Sequence, residues 1–264
     1  MRELASGKLL LDEPAEGVAR LRISNPERRG ALDHETLDAL GEAARELTAR
    51  CLLITGSGGV FSAGYDIGNL EQQEFEEAAE RLVAHPFHDA MEALEAYPYP
   101  VVGAINGHAI GGGLELALTC DVRLAARGVK MGMPPARLGL IYSHTGLRKF
   151  IEVCGVANTA ELFFTAANVD SERAERMGLV NRVVEPGELE QQGIELASEI
   201  AKGAPLSLAG NKQILRALRE HPGRLPEGLE SELVELRESC FRSEDFREGV
   251  RAFAEKRSPR WQGR

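Results

Sequence analysis

Short apolar runs alternate with amphipathic segments along much of the chain, and this alternation predicts mixed strands and helices. The runs CLLIT at residues 51–55 and YPVVGAI at residues 99–105 are continuous and bounded by turn or polar residues, so each predicts a buried strand. Residues 9–25 predict a hairpin whose turn is Glu16-Gly17.

Helical periodicity covers most of the remaining chain. A helix is predicted from Asp33 or His34 to residue 48, and a longer, partly charged helical region over residues 71–96. Strands are predicted at residues 121–126 and 179–184, and further helices at residues 147–154, 157–166, 171–177, 188–202, 206–220, 226–237 and 243–256. Ser171 and Ser243 are the predicted caps of two of these helices. The change to helix alone near residue 204 divides the chain into residues 1–204 and 205–264.

The strand at residues 99–105 leads into a glycine-rich turn, NGHAIGGGLEL at residues 106–116, which opens an apolar helix. Glycine lets a backbone approach a ligand closely, and the first N–H groups of a helix have no partner within it. Those N–H groups suit an oxygen that becomes negative during a reaction. Glu115 lies in the first turn of this helix. The alternative is that the glycines only pack the helix on a sheet while Glu115 offsets the helix dipole.

A second loop of small residues, GSGGVFSAGYDIGNL at residues 56–70, follows the strand CLLIT. Two such loops after two buried strands could each offer one backbone N–H to the same oxygen, as in a two-donor oxyanion hole. A third loop carries Arg28 and Arg29, which are either solvated or in contact with a phosphate, a partner that an arginine fork suits.

The charge balance narrows the possible partners. The chain has 31 Lys and Arg against 41 Asp and Glu, a net charge of −10, which disfavours nucleic acid and anionic membranes. Its four cysteines lack CxxC spacing, so we expect reduced core thiols and no metal site. Since no apolar run reaches membrane-spanning length and residues 1–8 lack an apolar signal core, we expect a cytoplasmic protein.

Three motifs together resemble the crotonase (enoyl-CoA hydratase/isomerase) superfamily: FSAGYDI at residues 61–67, NGHAIGGGLELA at residues 106–117 and SEDFREGVRAFAEKR at residues 243–257. The resemblance implies an α/β fold, a crotonase-like spiral of ββα turns, with the acyl-CoA site in residues 1–204. It implies that residues 205–264 form a helical region that drives assembly into a homotrimer or a dimer of trimers. It also implies an acyl-CoA thioester substrate and no separate cofactor, because coenzyme A is part of the substrate.

The resemblance also implies the site residues. The N–H groups of Tyr65 and Gly112 would form the oxyanion hole, and Glu115 would be the first of the two catalytic glutamates of hydratases. The residues implied to contact the substrate or its coenzyme A are Arg29, Ala63, Asp66, Ile67, Gly111 and Lys256.

One departure from the family pattern changes the expected reaction. Pro135 occupies the place of the second glutamate, and proline can neither accept nor deliver a proton. The local pattern through Leu138, Gly139 and Tyr142 resembles the methylmalonyl-CoA decarboxylase branch, in which the tyrosine holds the substrate carboxylate. We therefore expect decarboxylation of a short malonyl-type thioester, with Tyr142 as a catalytic residue. The alternatives are a hydratase or isomerase that uses Glu115 as its sole acid–base group, and an acyl-CoA-binding protein of weak activity.

Overall fold

A computed structural model describes residues 1–66 and 86–264 as two sheets wrapped by helices. The strands of the described residues are β1 (Arg2–Leu4), β2 (Leu9–Ala15), β3 (Val18–Ile23), β4 (Cys51–Gly56), β5 (Val60–Ser62), β6 (Val101–Ile105), β7 (His108–Ile110), β8 (Val122–Ala126), β9 (Lys130–Gly132), β10 (Val169–Asp170) and β11 (Arg182–Val184). The α-helices are α1 (His34–Glu46), α2 (His88–Ala96), α3 (Gly112–Thr119), α4 (Pro135–Leu138), α5 (His144–Thr165), α6 (Ser171–Met177), α7 (Leu189–Ala201), α8 (Pro205–Glu220), α9 (Leu229–Arg242) and α10 (Glu244–Glu255).

The connections between the two sheets follow a repeated ββα path. The larger sheet has the order β1-β2-β3-β4-β6-β8-β11, and the smaller one has the order β10-β9-β7-β5. Three consecutive strand pairs, β4 with β5, β6 with β7 and β8 with β9, place one strand in each sheet. The last two pairs are followed at once by α3 and α4. This is the predicted α/β spiral of ββα turns, so the fold class is confirmed.

The core explains why the apolar runs predicted strands so clearly. Every residue of β4 and of β6 is buried, and both strands pair in parallel with their neighbours. Parallel strands covered on both faces have continuous apolar sequences. The predicted hairpin is β2 paired antiparallel with β3, and the predicted helix at residues 33–48 is α1, which Asp33 caps.

Several predicted boundaries were wrong. The short strand β5 lies in a segment predicted as a loop, and β9 lies where no strand was predicted. Helix α4 begins at Pro135, a position where proline is tolerated. The helices predicted at residues 147–154 and 157–166 form one element, α5, which starts at His144 and bends at Gly155. Asp170, and not Ser171, caps α6, because the Asp170 carboxylate accepts a hydrogen bond from the N–H of Arg173. Of the helix predicted at residues 71–96, only the part from residue 88 is observed, since residues 67–85 lie outside the described residues.

Polar contacts join the C-terminal region to the rest of the chain. Lys212 of α8 lies 2.8 Å from the Asp121 carboxylate and donates to the carbonyl oxygen of Tyr99 at 2.9 Å. The Trp261 indole donates to the carbonyl oxygen of Lys202 at 2.7 Å. The division at residue 204 and the assembly of residues 205–264 into a trimer stay predictions. Each helix of the described residues is too short or too polar to cross a lipid bilayer.

Candidate active site

The two glycine-containing loops meet at the end of the smaller sheet. Gly64 has φ +88, and a Cβ at this position would lie 2.8 Å from the carbonyl oxygen of Ile110 and 2.9 Å from the nitrogen of Gly112. A side chain at Gly64 would therefore push the two loops apart. The sequence correctly predicted that these loops come together.

Backbone hydrogen bonds occupy several N–H groups close in sequence to the expected donors. Ala63 donates to Arg29, Asp66 to Leu32, and Gly111 to Gly132. Within residues 1–66 and 86–264, no backbone hydrogen bond is made by the N–H of Tyr65 or by that of Gly112, the first residue of α3. The geometry thus leaves two neighbouring N–H donors available for an oxygen.

Glu115 lies in the first turn of α3 and is 6% exposed. Its Oε2 atom accepts a hydrogen bond from the Tyr142 hydroxyl. Burial raises the pKa of the Glu115 carboxyl, while the nearby Lys149 ammonium and the Tyr142 hydrogen bond act in the opposite direction. A carboxyl whose pKa is raised toward neutrality can both accept and deliver a proton, which is what acid–base catalysis requires.

Tyr142 can contact Glu115 because residue 146 is a glycine, which was not predicted as a site residue. A Cβ at Gly146, in the first turn of α5, would lie 2.5 Å from Cε1 of Tyr142 and 3.0 Å from Oε2 of Glu115. The Tyr142 ring also packs edge-on against Phe163, with ring centroids 5.5 Å apart. Only glycine at position 146 leaves room for the phenol and the carboxyl to meet.

The Tyr65 side chain faces the same point. Its ring packs edge-on against Phe87, with centroids 4.7 Å apart, and a Cβ at Gly112 would lie 3.3 Å from its Cε2 and Cζ atoms. Burial, together with the Glu115 charge, raises the pKa of both phenols. Both tyrosines are therefore neutral at physiological pH and act as hydrogen-bonding groups, not as bases.

The position expected for a second glutamate holds no titratable group. Pro135 is buried at the start of α4. A cavity of about 730 Å³ next to Glu115 does contain other carboxylates. Among them, Glu95 is paired with Lys149 at 2.9 Å and with Arg219 at 3.2 Å. The Glu115 carboxyl accepts the hydrogen bond of the Tyr142 hydroxyl.

The other predicted contact residues fall into two groups. The first group lies at the arginine loop. The Ala63 N–H donates to the carbonyl oxygen of Arg29 at 3.1 Å, and the Asp66 N–H donates to that of Leu32 at 3.1 Å. Gly111 precedes α3 with φ +57. Lys256 ends α10 with an exposed side chain, and no hydrogen bond or ion pair among the described residues joins it to the site. Ile67 lies outside the described residues.

Three charged residues of the cavity wall were not predicted from the sequence: Glu95, Lys149 and Arg219. They lie on three helices far apart in the chain. One signal was available, since Lys149 falls on the buried stripe of α5 that Gly146 and Phe150 define at helical spacing. A lysine on a buried stripe indicates a paired charge.

Cysteine and metal chemistry have no observed basis in the described part of the chain. All four cysteines are free, and burial raises the pKa of the Cys51 and Cys120 thiols to about 12. Such thiols are poor nucleophiles at neutral pH. Within residues 1–66 and 86–264, no group of three or more His, Cys, Asp or Glu side chains could hold a metal ion.

Residues 13–264 match the family described as Enoyl-CoA hydratase/isomerase, and the chain belongs to this family. The superfamily resemblance is thereby confirmed. For a member of this family, the sequence motifs predict an oxyanion hole of two backbone N–H groups and a catalytic glutamate.

The sequences of two relatives align with nearly the whole chain. A short-chain-enoyl-CoA hydratase of Clostridium acetobutylicum is 32% identical over 246 residues, which cover 91% of this chain and 92% of the relative. A carnitinyl-CoA dehydratase of Salmonella typhi is 36% identical over 255 residues, covering 94% and 95%. The crystal structure of an enoyl-CoA hydratase from Bacillus anthracis superposes with a TM-score of 0.90 at 30% identity, covering 97% of this chain and 100% of that one.

Proposed function

We propose that this protein adds water reversibly to the C2–C3 double bond of an enoyl-CoA thioester, with Glu115 as its single acid–base carboxyl. The observation that carries the proposal is the buried Glu115 carboxyl, which has a raised pKa and lies in the first turn of the helix that Gly112 begins. The related hydratase and dehydratase favour this reaction over the decarboxylation that the sequence pattern around Tyr142 predicted.

One carboxyl is sufficient to balance the reaction. Ionised Glu115 takes a proton from water, the hydroxide oxygen bonds to C3, and the π electrons move to the thioester oxygen. The N–H groups of Tyr65 and Gly112 stabilise the resulting enolate. Protonated Glu115 then delivers the same proton to C2, so that the elements of one water are added and the carboxylate is restored. Dehydration follows the reverse path.

Tyr142 orients this carboxyl. Its hydroxyl donates to one oxygen of Glu115, which leaves the other oxygen available for water. Tyr142 does not replace the missing second glutamate as a base, because its pKa is raised. The phenol holds the carboxyl in one rotamer and stabilises its ionised form.

The coenzyme A moiety would lie on the side of the arginine loop. Arg29 is hydrogen-bonded through its carbonyl to the Ala63 N–H, and the hydroxyl of Ser62 donates to Gly30 at 2.7 Å, so this loop lies directly against the proposed oxyanion hole. We propose Arg29 as a contact to coenzyme A phosphate and keep Lys256 as a second such contact on the strength of the sequence motif. Both cations are expected to affect binding more than turnover.

Decarboxylation is the second candidate, and one observation favours it. Pro135 removes the second carboxyl, while Tyr142 offers a hydroxyl that could hold a substrate carboxylate instead of Glu115. Loss of CO₂ would leave the same enolate, with its negative oxygen on the same two N–H groups.

A paired assay separates the two reactions. Crotonyl-CoA is incubated with the protein and analysed for 3-hydroxybutyryl-CoA, while malonyl-CoA and methylmalonyl-CoA are analysed for CO₂ release. We expect hydration, with a kcat/KM for crotonyl-CoA at least on the order of 10⁴ M⁻¹s⁻¹. Release of CO₂ without hydration would replace the proposal with its second candidate.

A further inference from the structure

The cavity beside Glu115 has many charged side chains in its wall. It measures about 730 Å³ and opens between α2, α5 and α8, with Tyr65 and Glu115 at its inner end. Among the described residues, Phe87, Met91 and Ile141 are its apolar lining residues, whereas charged side chains from all three helices form much of the remaining wall.

The charged side chains form a connected network. Lys149, which is 9% exposed, lies 2.9 Å from Glu95 and donates to the Thr119 hydroxyl at 2.7 Å. Arg219 of α8 bridges Glu95 at 3.2 Å and Glu152 at 3.4 Å. The network therefore ties α8 to α2 and α5 in the wall of the same cavity that Glu115 lines.

The direction of the substrate places its acyl chain in this cavity. The arginine loop, and with it the proposed coenzyme A contact, lies on the side of Ala63 and is absent from the cavity lining. With the thioester oxygen at the N–H groups of Tyr65 and Gly112 and C2–C3 beside Glu115, the atoms beyond C3 extend into the cavity.

An apolar chain would be disfavoured there. A long alkyl group would displace water from the ion pairs that Arg219 makes and leave those charges against hydrocarbon, which is costly. A short acyl group ends before the network, and a chain with distal hydroxyl groups can hydrogen-bond to it. We propose that this cavity selects acyl-CoA thioesters whose acyl group is short or carries hydrogen-bonding groups on its distal carbons. This inference rests on the proposed function for the direction of the substrate.

Binding of saturated thioesters tests the inference without chemistry. Calorimetric dissociation constants are measured for butyryl-CoA and octanoyl-CoA. In an apolar pocket, four more buried methylenes would tighten binding on the order of 200-fold. We expect octanoyl-CoA to bind within tenfold of butyryl-CoA or more weakly. Tighter binding of octanoyl-CoA by more than tenfold would overturn the inference.

Two thioesters with acyl chains of equal length test the preference for hydrogen-bonding groups. We expect 6-hydroxyhexanoyl-CoA to bind more tightly than hexanoyl-CoA, because the hydroxyl can bond to the charged wall in place of water. Tighter binding of hexanoyl-CoA would contradict the inference.

A variant tests whether the charged network causes the acyl-chain selectivity. Arg219→Met removes the shared cation and leaves Glu95 paired with Lys149, and Glu152 with Arg148. We expect the affinity ratio of octanoyl-CoA to butyryl-CoA to rise about tenfold. The matched control is Arg173→Met, which breaks a surface ion pair with Glu161 outside the cavity and should leave the ratio unchanged. An unchanged ratio in a folded Arg219→Met protein would overturn the inference, and the wild-type comparison decides it if that variant does not fold.

Failure of the acyl selectivity is distinguishable from failure of the proposed function. Absence of crotonyl-CoA hydration, with butyryl-CoA still bound at least as tightly as octanoyl-CoA, would reject the proposed reaction and leave the acyl selectivity standing. Hydration of crotonyl-CoA together with a strong preference for octanoyl-CoA would do the reverse.

Discussion

At the scale of single residues, the contact between Tyr142 and Glu115 depends on Gly146. Alanine stabilises helices relative to glycine, so Gly146→Ala would ordinarily favour α5. Its Cβ would, however, lie 2.5 Å from the Tyr142 ring and force the phenol away from the carboxyl. We expect turnover of crotonyl-CoA to fall by ten- to a hundredfold, roughly the cost of misplacing a catalytic group by about 1 Å.

The control for this substitution is Gly223→Ala, since an added Cβ at Gly223 meets nothing within 4 Å. The measurement is kcat and KM for both variants, with circular dichroism to establish folding. Unaltered turnover in folded Gly146→Ala would show that the Tyr142–Glu115 contact has no catalytic role.

The burial of Glu115 also predicts how stability depends on pH. Because burial raises the pKa of this carboxyl in the folded protein, its contribution to stability is fully present below the unfolded pKa of about 4.3 and is lost as the pH rises through the folded pKa. Glu115→Gln has no such titration. We expect urea unfolding to show similar stabilities for the two proteins near pH 4 and a growing advantage for Glu115→Gln toward pH 8. A growing advantage for the wild type would mean that Lys149 and Tyr142 lower this pKa.

At the scale of elements, α5 carries a break that backbone conformation requires. Gly155 has φ +76 and ψ 163, a region that side chains rarely adopt, and an added Cβ would meet nothing within 4 Å. Gly155→Ala should therefore cost about 1–3 kcal/mol of unfolding free energy through backbone strain alone. Gly187→Ala is the matched control, because Gly187 has equal space and no positive φ, and it should change stability by less than about 0.5 kcal/mol. Equal stabilities of the two variants in urea would contradict this account.

The sequence predicted elements in proportion to their length and burial. Strands such as β4 and β6 were evident because burial on both faces makes their sequences continuously apolar. The three-residue strands β5 and β9 were missed because so short a segment is defined by its pairing in the sheet, which no local pattern records. The break in α5 was predicted as a gap between two helices. That the two helices form one element depends on packing against α3.

The site was predictable where its groups lie in one motif. The loop of Tyr65 and the turn before Glu115 were each visible in the sequence, and glycines brought them together as expected. The Lys149–Glu95–Arg219 network was not visible, because its members lie on three separate helices and meet only through tertiary packing. Acyl selectivity therefore could not be predicted from motifs alone.

At the scale of the whole molecule, the C-terminal helices leave apolar side chains exposed. Phe253 is 88% exposed, Leu215 68% and Phe241 54%. Exposed apolar groups on successive helices indicate an interface, and the motif at residues 243–257 predicts a trimer or a dimer of trimers. We expect light scattering at micromolar concentration to give three or six times the chain mass of 28.7 kDa.

The predicted assembly can be probed at Phe253, the aromatic residue with the largest exposed fraction among residues 1–66 and 86–264. Phe253→Asp should lower the measured mass, because a charge would be buried in the interface, whereas Phe253→Leu should keep it. A mass of one chain for the wild-type protein would rule out the predicted assembly.

The central claim is that Glu115 is the acid–base group of a hydration reaction, and one comparison tests it most directly. The kcat for crotonyl-CoA hydration is measured for the wild type and for Glu115→Gln, which keeps the size of the side chain and can still accept from Tyr142. Loss of the proposed acid–base carboxyl predicts a fall of 10²- to 10⁴-fold in kcat, with the affinity for butyryl-CoA changed much less. A Glu115→Gln protein that hydrates crotonyl-CoA within tenfold of the wild-type rate would contradict the claim.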